Sequence, residues 1–369
     1  MTLQALGWLS MIILAVSVAG CNDSSEEPGF AGLDAQRKDV DETGFAQPEP
    51  GDTLVFPDDW GPHPRHRIEW WYLTANLKTA AGRPLGVQWT QFRQALQPRA
   101  LEQAPPVPAS WPLDSAWMAH GAVSFAGDHW FAEKLARGDI GHAGARAKPF
   151  KVWLDDWQLA SVPDSRDWHL QVQGDGWGYD LRLHNNGDLI AHGDGGFSAK
   201  SDSGEGSMYF SLVPIQIAGT VTLGEQILRV SGKGWLDREW SSQFLKAGQQ
   251  GWDWFGLHLE DGRKLMAFRL REDDGAFSSG SWINEEGDVE ILRDDELTLT
   301  PVSWRGTPNG RVPVKWHITI PEQEVDLSVA APSGEYWNNG FYRYWESPVS
   351  ITGSHRGEGY MELTGYGDP

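Results

Sequence analysis

From Ile68 to the C-terminus the chain runs in short segments of alternating apolar and polar residues, each closed by Gly, Asp, Asn or Pro. Almost no stretch keeps a helical period. A period of two puts successive side chains on opposite faces of a strand, so the pattern calls for half-buried antiparallel sheet. Typical segments are Ile68 to Leu77, Gly86 to Gln94, Ala116 to Phe125, Trp168 to Gln173, Gly178 to His184, Ile227 to Trp240, Trp252 to Glu260, Lys264 to Arg271 and Val314 to Ile320. Glu260-Asp261-Gly262-Arg263, Asn186-Gly187-Asp188 and Glu286-Gly287-Asp288 have hairpin-turn chemistry. Strands over roughly 300 residues exceed one small barrel, so the expected fold is all-β, two antiparallel β-barrels side by side. The seam is expected near Ser241 to Gly251, where Gly and Gln accumulate, giving domains 52–240 and 241–369. Ser201 to Gly206 is an alternative boundary.

The N-terminus has a different character. Residues 1–20 carry no charge, and the apolar run Trp8 to Ala19 is shorter than the roughly 20 residues a spanning helix needs, so the segment reads as a signal peptide. Val18-Ala19-Gly20-Cys21 resembles a bacterial lipobox, which implies cleavage before Cys21 and lipidation of its thiol. Met1 to Gly7 lacks the Lys or Arg expected there. Cys21 is the sole cysteine, so no disulfide supports the fold. Residues 21–51 are rich in Asp, Glu, Gly, Ser and Pro and read as a flexible acidic tether, about 30 residues spanning on the order of 30 Å. The expected location is the cell envelope, lipid-anchored, with the body on the periplasmic side.

The formal net charge of -21 repels nucleic acid and anionic membranes, so no nucleic-acid partner is expected. The 21 tryptophans exceed what one core of this size needs, so part of that aromatic surface should line a pocket or the barrel interface and bind a hydrophobic small molecule.

Ionisable residues stand among these indoles. Gly234 to Trp240 reads G-W-L-D-R-E-W, and Gly251 to Phe255 reads G-W-D-W-F. Burying a carboxylate among aromatics costs several kcal/mol, on the order of a few pK units, unless it is paired or keeps its proton. On a strand, Trp235, Asp237 and Glu239 share one face, while Leu236, Arg238 and Trp240 share the other. Two neighbouring carboxyls resist joint ionisation, so one is expected to hold a proton as a general acid does. The alternative is structural: Asp237, Glu239 and Asp253 pair with arginines such as Arg238 and Arg269 and pin the sheets together. Glu69-Trp70-Trp71-Tyr72 repeats the theme, with Glu69 and Trp71 on one face and Tyr72 on the other. Glu69 there needs a partner such as Arg238 or His66. His120 lies in an apolar strand and reads either as a satisfied core histidine or as a proton carrier. Tyr344-Trp345-Glu346 and Gly359 to Tyr366 read as closing strands with a mainly structural role.

His63, His66, His120, Asp58 and Asp59 lack metal-ligand spacing, so neither metal nor cofactor is expected. No G-x-S-x-G elbow and no phosphate-binding glycine loop occurs, which argues against serine-hydrolase and nucleotide chemistry.

E-W-W-Y at Glu69 to Tyr72, H-G-A-V from His120, W-L-D-R-E-W at Trp235 to Trp240, G-W-D-W-F, Y-W-E at Tyr344 to Glu346 and G-Y-M-E-L-T-G-Y from Gly359 together resemble one family. The chain is similar, from about residue 55 to 369, to the AttH and carotenoid 1,2-hydratase (hydroxyneurosporene synthase) group. The resemblance implies lipocalin-like barrels. In the hydratase branch an Asp works with aromatic and His residues to add water to a polyene, and Asp237 falls where that Asp would lie. No His occurs in the upstream strand around Tyr209, so the chain resembles more closely the AttH branch, whose members accompany ABC-type permeases.

Two functions follow as expectations. One is acid-initiated alkene chemistry: Asp237 donates a proton, Trp235 or Trp252 steadies the cation, and Glu239 or His120 guides water or removes a proton, with Glu69, Trp71, Tyr72, Tyr209, Arg238 and Asp253 as further ligand contacts. The other is a lipid-anchored carrier that works with an ABC-type permease. A glycosidase built on the D-x-E pair is a weaker third, against which the resemblance argues.

Overall fold

A computed structural model of the chain describes residues 44–98, 114–138, 140–201, 204–243 and 248–367. The signal segment and Cys21 lie outside them. All strand pairs are antiparallel, and the helical residues among those described form two single 3-10 turns, Asp58–Trp60 and Pro321–Gln323.

The first sheet begins as a meander of β1 (Ile68–Thr79), β2 (Pro84–Ala95), β3 (Ser115–Phe125) and β4 (Asp128–Arg137). Then come β5 (Ala143–Ala147), β6 (Phe150–Leu154), β7 (Trp157–Ser161), β8 (Trp168–Gln173) and β9 (Trp177–His184). The short β10 (Asp188–Ala191) and β11 (Phe197–Ala199) lead into the long β12 (Gly206–Leu223) and β13 (Gln226–Ser241). The spatial order is β4-β3-β2-β1-β13-β12-β9-β8-β7-β6-β5, with β10 and β11 attached to β12. β13 therefore returns to lie beside β1, which brings Asp237 opposite Tyr72 and Glu239 opposite Trp70.

The second sheet comprises β14 (Gln249–Leu259), β15 (Lys264–Glu272), β16 (Gly275–Ile283), β17 (Val289–Leu292) and β18 (Thr298–Thr307). It continues through β19 (Gly310–Ile320), β20 (Val325–Ala330), β21 (Trp337–Asn339), β22 (Arg343–Gly353) and β23 (Gly357–Thr364). Its order is β17-β16-β15-β14-β23-β22-β20-β19-β18, with β21 on β22.

Each sheet curls around its own apolar interior, as a lipocalin-like fold requires. Ala143 and Phe150, from β5 and β6 at one end of the first sheet, share a core with Trp117 and Ala119 from β3 near the other end, so that barrel nearly closes. Leu292 of β17 and Leu299 of β18 meet in the second core although their strands are the two ends of the path. Trp71, Trp89 and Trp157 in the first core and Trp316 and Trp345 in the second are fully buried. Truncating one such residue costs about 3–5 kcal/mol.

Two local expectations change. Asn186-Gly187 does not close a hairpin, because β9 and β10 both pair with β12 rather than with each other; the long β12 offers its edge to both. Residues 44–51, the end of the expected tether, lie close to the body: Phe45 is buried beside the Arg67 guanidinium, and the Ala46 N–H donates to Arg65 O at 3.0 Å.

Candidate functional site

The two barrels meet on a third apolar cluster that includes Tyr72, Tyr209 and Trp235 from the first sheet and Trp254, Met266 and Tyr360 from the second. Beside it lies a cavity of about 340 Å³. Trp70, Phe92 and Tyr209 face it from one sheet, Trp252, Trp254 and Phe268 from the other, and the exposed Leu135 and Phe341 border it where it meets solvent. A size of this order suits a small organic ligand.

Alternation along β13 sends Asp237 and Glu239 to this cavity, while Leu236 and Trp240 pack in the first core. Among the described residues no arginine pairs with Asp237. Its Oδ1 accepts from the Trp235 indole N–H at 2.6 Å and from Ser211 Oγ at 2.5 Å, and its Oδ2 accepts from Tyr209 Oη at 2.8 Å. Burial pushes its pKa up to about 7 against the pull of these three donors. Asp237 is thus protonated for part of the time at neutral pH, with a conjugate base that already has its hydrogen bonds. Glu239 accepts from Ser207 Oγ and pairs with Lys200 Nζ at 3.1 Å, and the same ammonium lies 4.6 Å from the Phe268 ring centroid.

A second carboxyl reaches the cavity from the other sheet. Glu362 on β23 accepts from the Trp252 indole N–H at 2.7 Å, and burial raises its pKa to about 7. Directly across the ladder from it stands Glu346 on β22, 1% exposed, which accepts from Tyr72 Oη at 2.5 Å and from Asn338 Nδ2 at 3.1 Å. Burial, followed by the neighbouring Glu362, keeps Glu346 protonated well above the usual carboxylate range. Glu346 and Glu362 belong to the motifs that the sequence reading set aside as structural. Their signal was the one that singled out Asp237, an acid among aromatics on an alternating strand.

The other expected site residues divide between the cavity and the cores. Tyr72, Tyr209 and Trp252 line the cavity. Trp235 does not line it and serves instead as a donor to Asp237. His120 is fully buried one residue behind the wall, with Nδ1 2.9 Å from Tyr344 Oη, which lines the cavity, and Nε2 2.9 Å from Glu133. Burial holds His120 below its usual pKa, so it is neutral.

Glu69 borders the cavity, but its carboxylate is engaged by Arg93 and Arg238 and by the His63 N–H. Burial alone would raise its pKa; the two guanidiniums outweigh that and hold it well below the usual range. Arg238 stacks 3.9 Å from the Trp71 ring centroid, and both residues stay inside the first barrel, away from the cavity lining. Asp253 points away from the cavity because Trp252 and Trp254 on either side of it face in. It pairs with Arg271 at 3.3 Å and Arg269 at 3.5 Å. Sequence alternation did not tell which face of each strand met the cavity, and the curl of the sheets decided it.

The AttH-like family model matches residues 47–366. A Nitrosomonas europaea protein assigned to AttH is similar in structure, with a TM-score of 0.78 and 30% identity over 88% of this chain and 100% of that one. Kievitone hydratase from Nectria haematococca follows the same path at a TM-score of 0.63 and 14% identity, over 88% of this chain and 98% of its own. CghA does so at 0.50 and 13%, over 88% and 97%. No curated protein matches the sequence.

Proposed function

The chain belongs to the AttH-like family, and from that premise we propose that it binds a largely apolar small molecule between its barrels and performs acid-initiated chemistry on an alkene there. The observation that carries this reading is that Asp237 and Glu362, each with a pKa of about 7, face one aromatic cavity from different sheets. A pair of such groups on one space suits general acid and general base at neutral pH.

In this reading the π pair of a carbon–carbon double bond takes the proton of Asp237, forming a C–H bond and a carbocation. The three donors at Asp237 stabilise the carboxylate left behind. The faces of Trp252 and Trp254 attract the cation, by about 0.5–2 kcal/mol for each well-placed ring. Water then adds and Glu362 takes its proton, giving hydration; or Glu362 takes a neighbouring C–H proton, giving isomerisation or, after internal carbon–carbon bond formation, cyclisation. The name of one structural neighbour, a hydratase, agrees with the first outcome, although at 14% identity its likeness shows the fold alone.

Native mass spectrometry with solvent extraction tests the reading. The protein and its Asp237→Asn variant are exposed to total lipid from the host. A released species shifted by the mass of water or isomerised in wild type, with the parent compound retained in the variant, supports acid catalysis. The same unaltered molecule from both makes the protein a carrier, with an ABC-type permease as its proposed partner. The proposal extends to the anchor: a lipid on Cys21 holds the body at the envelope membrane, where apolar ligands partition. The intact mass of the mature N-terminus tests that part, and an unmodified Cys21 overturns it.

A further inference from the structure

Each oxygen of Asp237 stands at the end of a line of hydrogen bonds that begins in the second barrel. Trp254 of β14 donates its indole N–H to Tyr209 Oη at 3.1 Å, and Tyr209 donates to Oδ2. The other line passes through His192, a residue that the catalytic reading does not use. Its Nδ1 lies 2.8 Å from Ser281 Oγ on β16 and its Nε2 2.6 Å from Ser211 Oγ on β12, while Ser211 donates to Oδ1. Ser281, His192 and Ser211 are all fully buried. His192 follows β10 in the run His-Gly-Asp-Gly-Gly, and the turn there depends on Gly193, where φ is 63° and a Cβ would lie 2.0 Å from Phe197 O. The His192 N–H donates to Tyr209 O at 3.0 Å, and the imidazole lies 4.0 Å from the Tyr209 ring centroid.

We infer that His192 is a positioning residue for Asp237: as the neutral Nε2–H tautomer it turns the Ser211 hydroxyl onto Oδ1, so that the transferable proton of the acid sits on Oδ2, beside Tyr209. The inference rests on the reading of Asp237 as the acid of the site.

Proton counting gives the direction of the line. Burial lowers the His192 pKa to about 3, so the ring carries one proton at neutral pH and donates from one nitrogen only. Trp235 can only donate, and its indole N–H lies 2.6 Å from Oδ1 and 3.1 Å from Ser211 Oγ. An oxygen that receives a fixed N–H is a poor seat for a proton, so Oδ1 remains the acceptor of the pair. Ser211 gives its single proton to Oδ1, and its lone pairs face the Trp235 and Nε2 protons. Nδ1 is then bare and takes the Ser281 hydroxyl. The opposite tautomer breaks the line: Nε2 would draw the Ser211 proton to itself and strip Oδ1 of its hydroxyl donor. Oδ2 has the Tyr209 phenol as its hydrogen-bond partner. That O–H rotates, so the phenol donates to the carboxylate and accepts from the acid. In the reaction the O–H bond at Oδ2 breaks as the π pair of the alkene forms its C–H bond. No proton passes along the His192 line, which stays in place and holds the carboxylate that remains.

The tautomer can be read without a ligand. In full-length protein carrying nitrogen-15 histidine, NMR near neutral pH is expected to show His192 with a protonated Nε2 and a bare Nδ1. Ser281→Ala, one atom smaller, is expected to move the bare signal and leave the protonated one, which assigns both even if a larger change at His192 does not fold. A proton on Nδ1, or averaging between the two nitrogens, overturns the inference. The second readout is the infrared C=O stretch of Asp237, identified by its loss in Asp237→Asn and followed against pH. His192→Phe retains a ring to stack on Tyr209 but frees the Ser211 hydroxyl, and is expected to raise the Asp237 midpoint by about one pH unit, a tenfold change in proton affinity. Glu239 with Lys200 beside Asp237, and Glu362 across the cavity, are present in every variant, so their charges do not account for the shift. In a Ser211→Ala background His192→Phe is expected to move the midpoint no further. An unchanged midpoint in the first background, or an equal shift in both, overturns the role, because a ring that merely packs acts without Ser211. If both readouts follow but no ligand is ever altered, His192 orients Asp237 and the acid-catalysis reading falls. Turnover that depends on Asp237 while neither readout follows leaves that reading standing and ends this one.

Discussion

The indole N–H of Trp235 donates to Oδ1 of Asp237 at 2.6 Å from two residues earlier on the same strand. Strand geometry alone brings the pair together, since residues two apart share a face. The bond gives the carboxyl a fixed donor on the barrel side while its other face borders the cavity, so the aromatic neighbour tunes the acid rather than only surrounding it.

Turnover that begins with protonation by Asp237 should fall as pH rises through about 7, where that carboxyl loses its proton. Asp237→Asn should lower it by about 10²–10⁴-fold with folding intact. Trp235→Phe removes a donor that favours the carboxylate and should move the falling limb to higher pH by about 1–2 units, the equivalent of a hydrogen bond to a charged group. A pH–rate profile of the three proteins on a turned-over lipid reads both effects. A limb that stays put in Trp235→Phe separates Asp237 from the observed titration.

The same carboxyl should leave a mark on stability. Its folded pKa of about 7 lies above the unfolded value of about 4, so its contribution is fully present below pH 4 and is lost as pH rises to about 7. Asp237→Asn removes the penalty of holding or shedding that proton. Relative to wild type it should therefore gain stability between pH 4 and 7, on the order of a few kcal/mol, and hold that gain above. Thermal melts of both proteins at several pH values check the sign. A difference that does not change with pH sinks the assignment.

Glu69 behaves in the opposite way. Its pKa is depressed, so its contribution is present above the ordinary glutamate value and is lost as pH falls through the lowered one. Glu69→Gln leaves Arg93 and Arg238 buried without their counter-charge and should cost about 3–5 kcal/mol in urea denaturation. A loss below about 1 kcal/mol, typical of an exposed pair, would show the network to be dispensable.

Gly86 on β2 meets Tyr360 on β23 where the two sheets touch, and a Cβ at Gly86 would overlap the Tyr360 hydroxyl and crowd Pro348. Gly86→Ala should force the barrels apart locally at a cost of about 1–3 kcal/mol and weaken ligand retention along with it. Gly86→Ala combined with Tyr360→Phe should recover part of both. If the double variant is no better than the single one, the contact does not set the spacing of the barrels.

Much of the fold was legible in the residues. Alternation in Ile68 to Leu77 and Ile227 to Trp240 marked two strands, and the shared face of Trp235, Asp237 and Glu239 followed from a period of two alone. The structure keeps those relationships because pleating is local and every L-residue strand obeys it. Asn186-Gly187 misled because turn chemistry reports a change of direction and not which strand the next segment joins.

The sequence by itself determined the all-β class, the antiparallel pairing of near neighbours and the burial of acids among indoles, since each depends on residues close together in the chain. Only the tertiary structure decided which acids matter. Asp253 stands between two tryptophans much as Asp237 stands two residues after one, yet Arg269, directly opposite on the adjacent strand β15, and Arg271 on the same strand claim it and turn it from the cavity. Asp237 and Glu362 line one cavity, Tyr72 meets Glu346 and His120 meets Tyr344 across the junction of two separately curled sheets, more than a hundred residues apart. No local pattern encodes such meetings, because the curl that creates them is set by how two whole apolar interiors close.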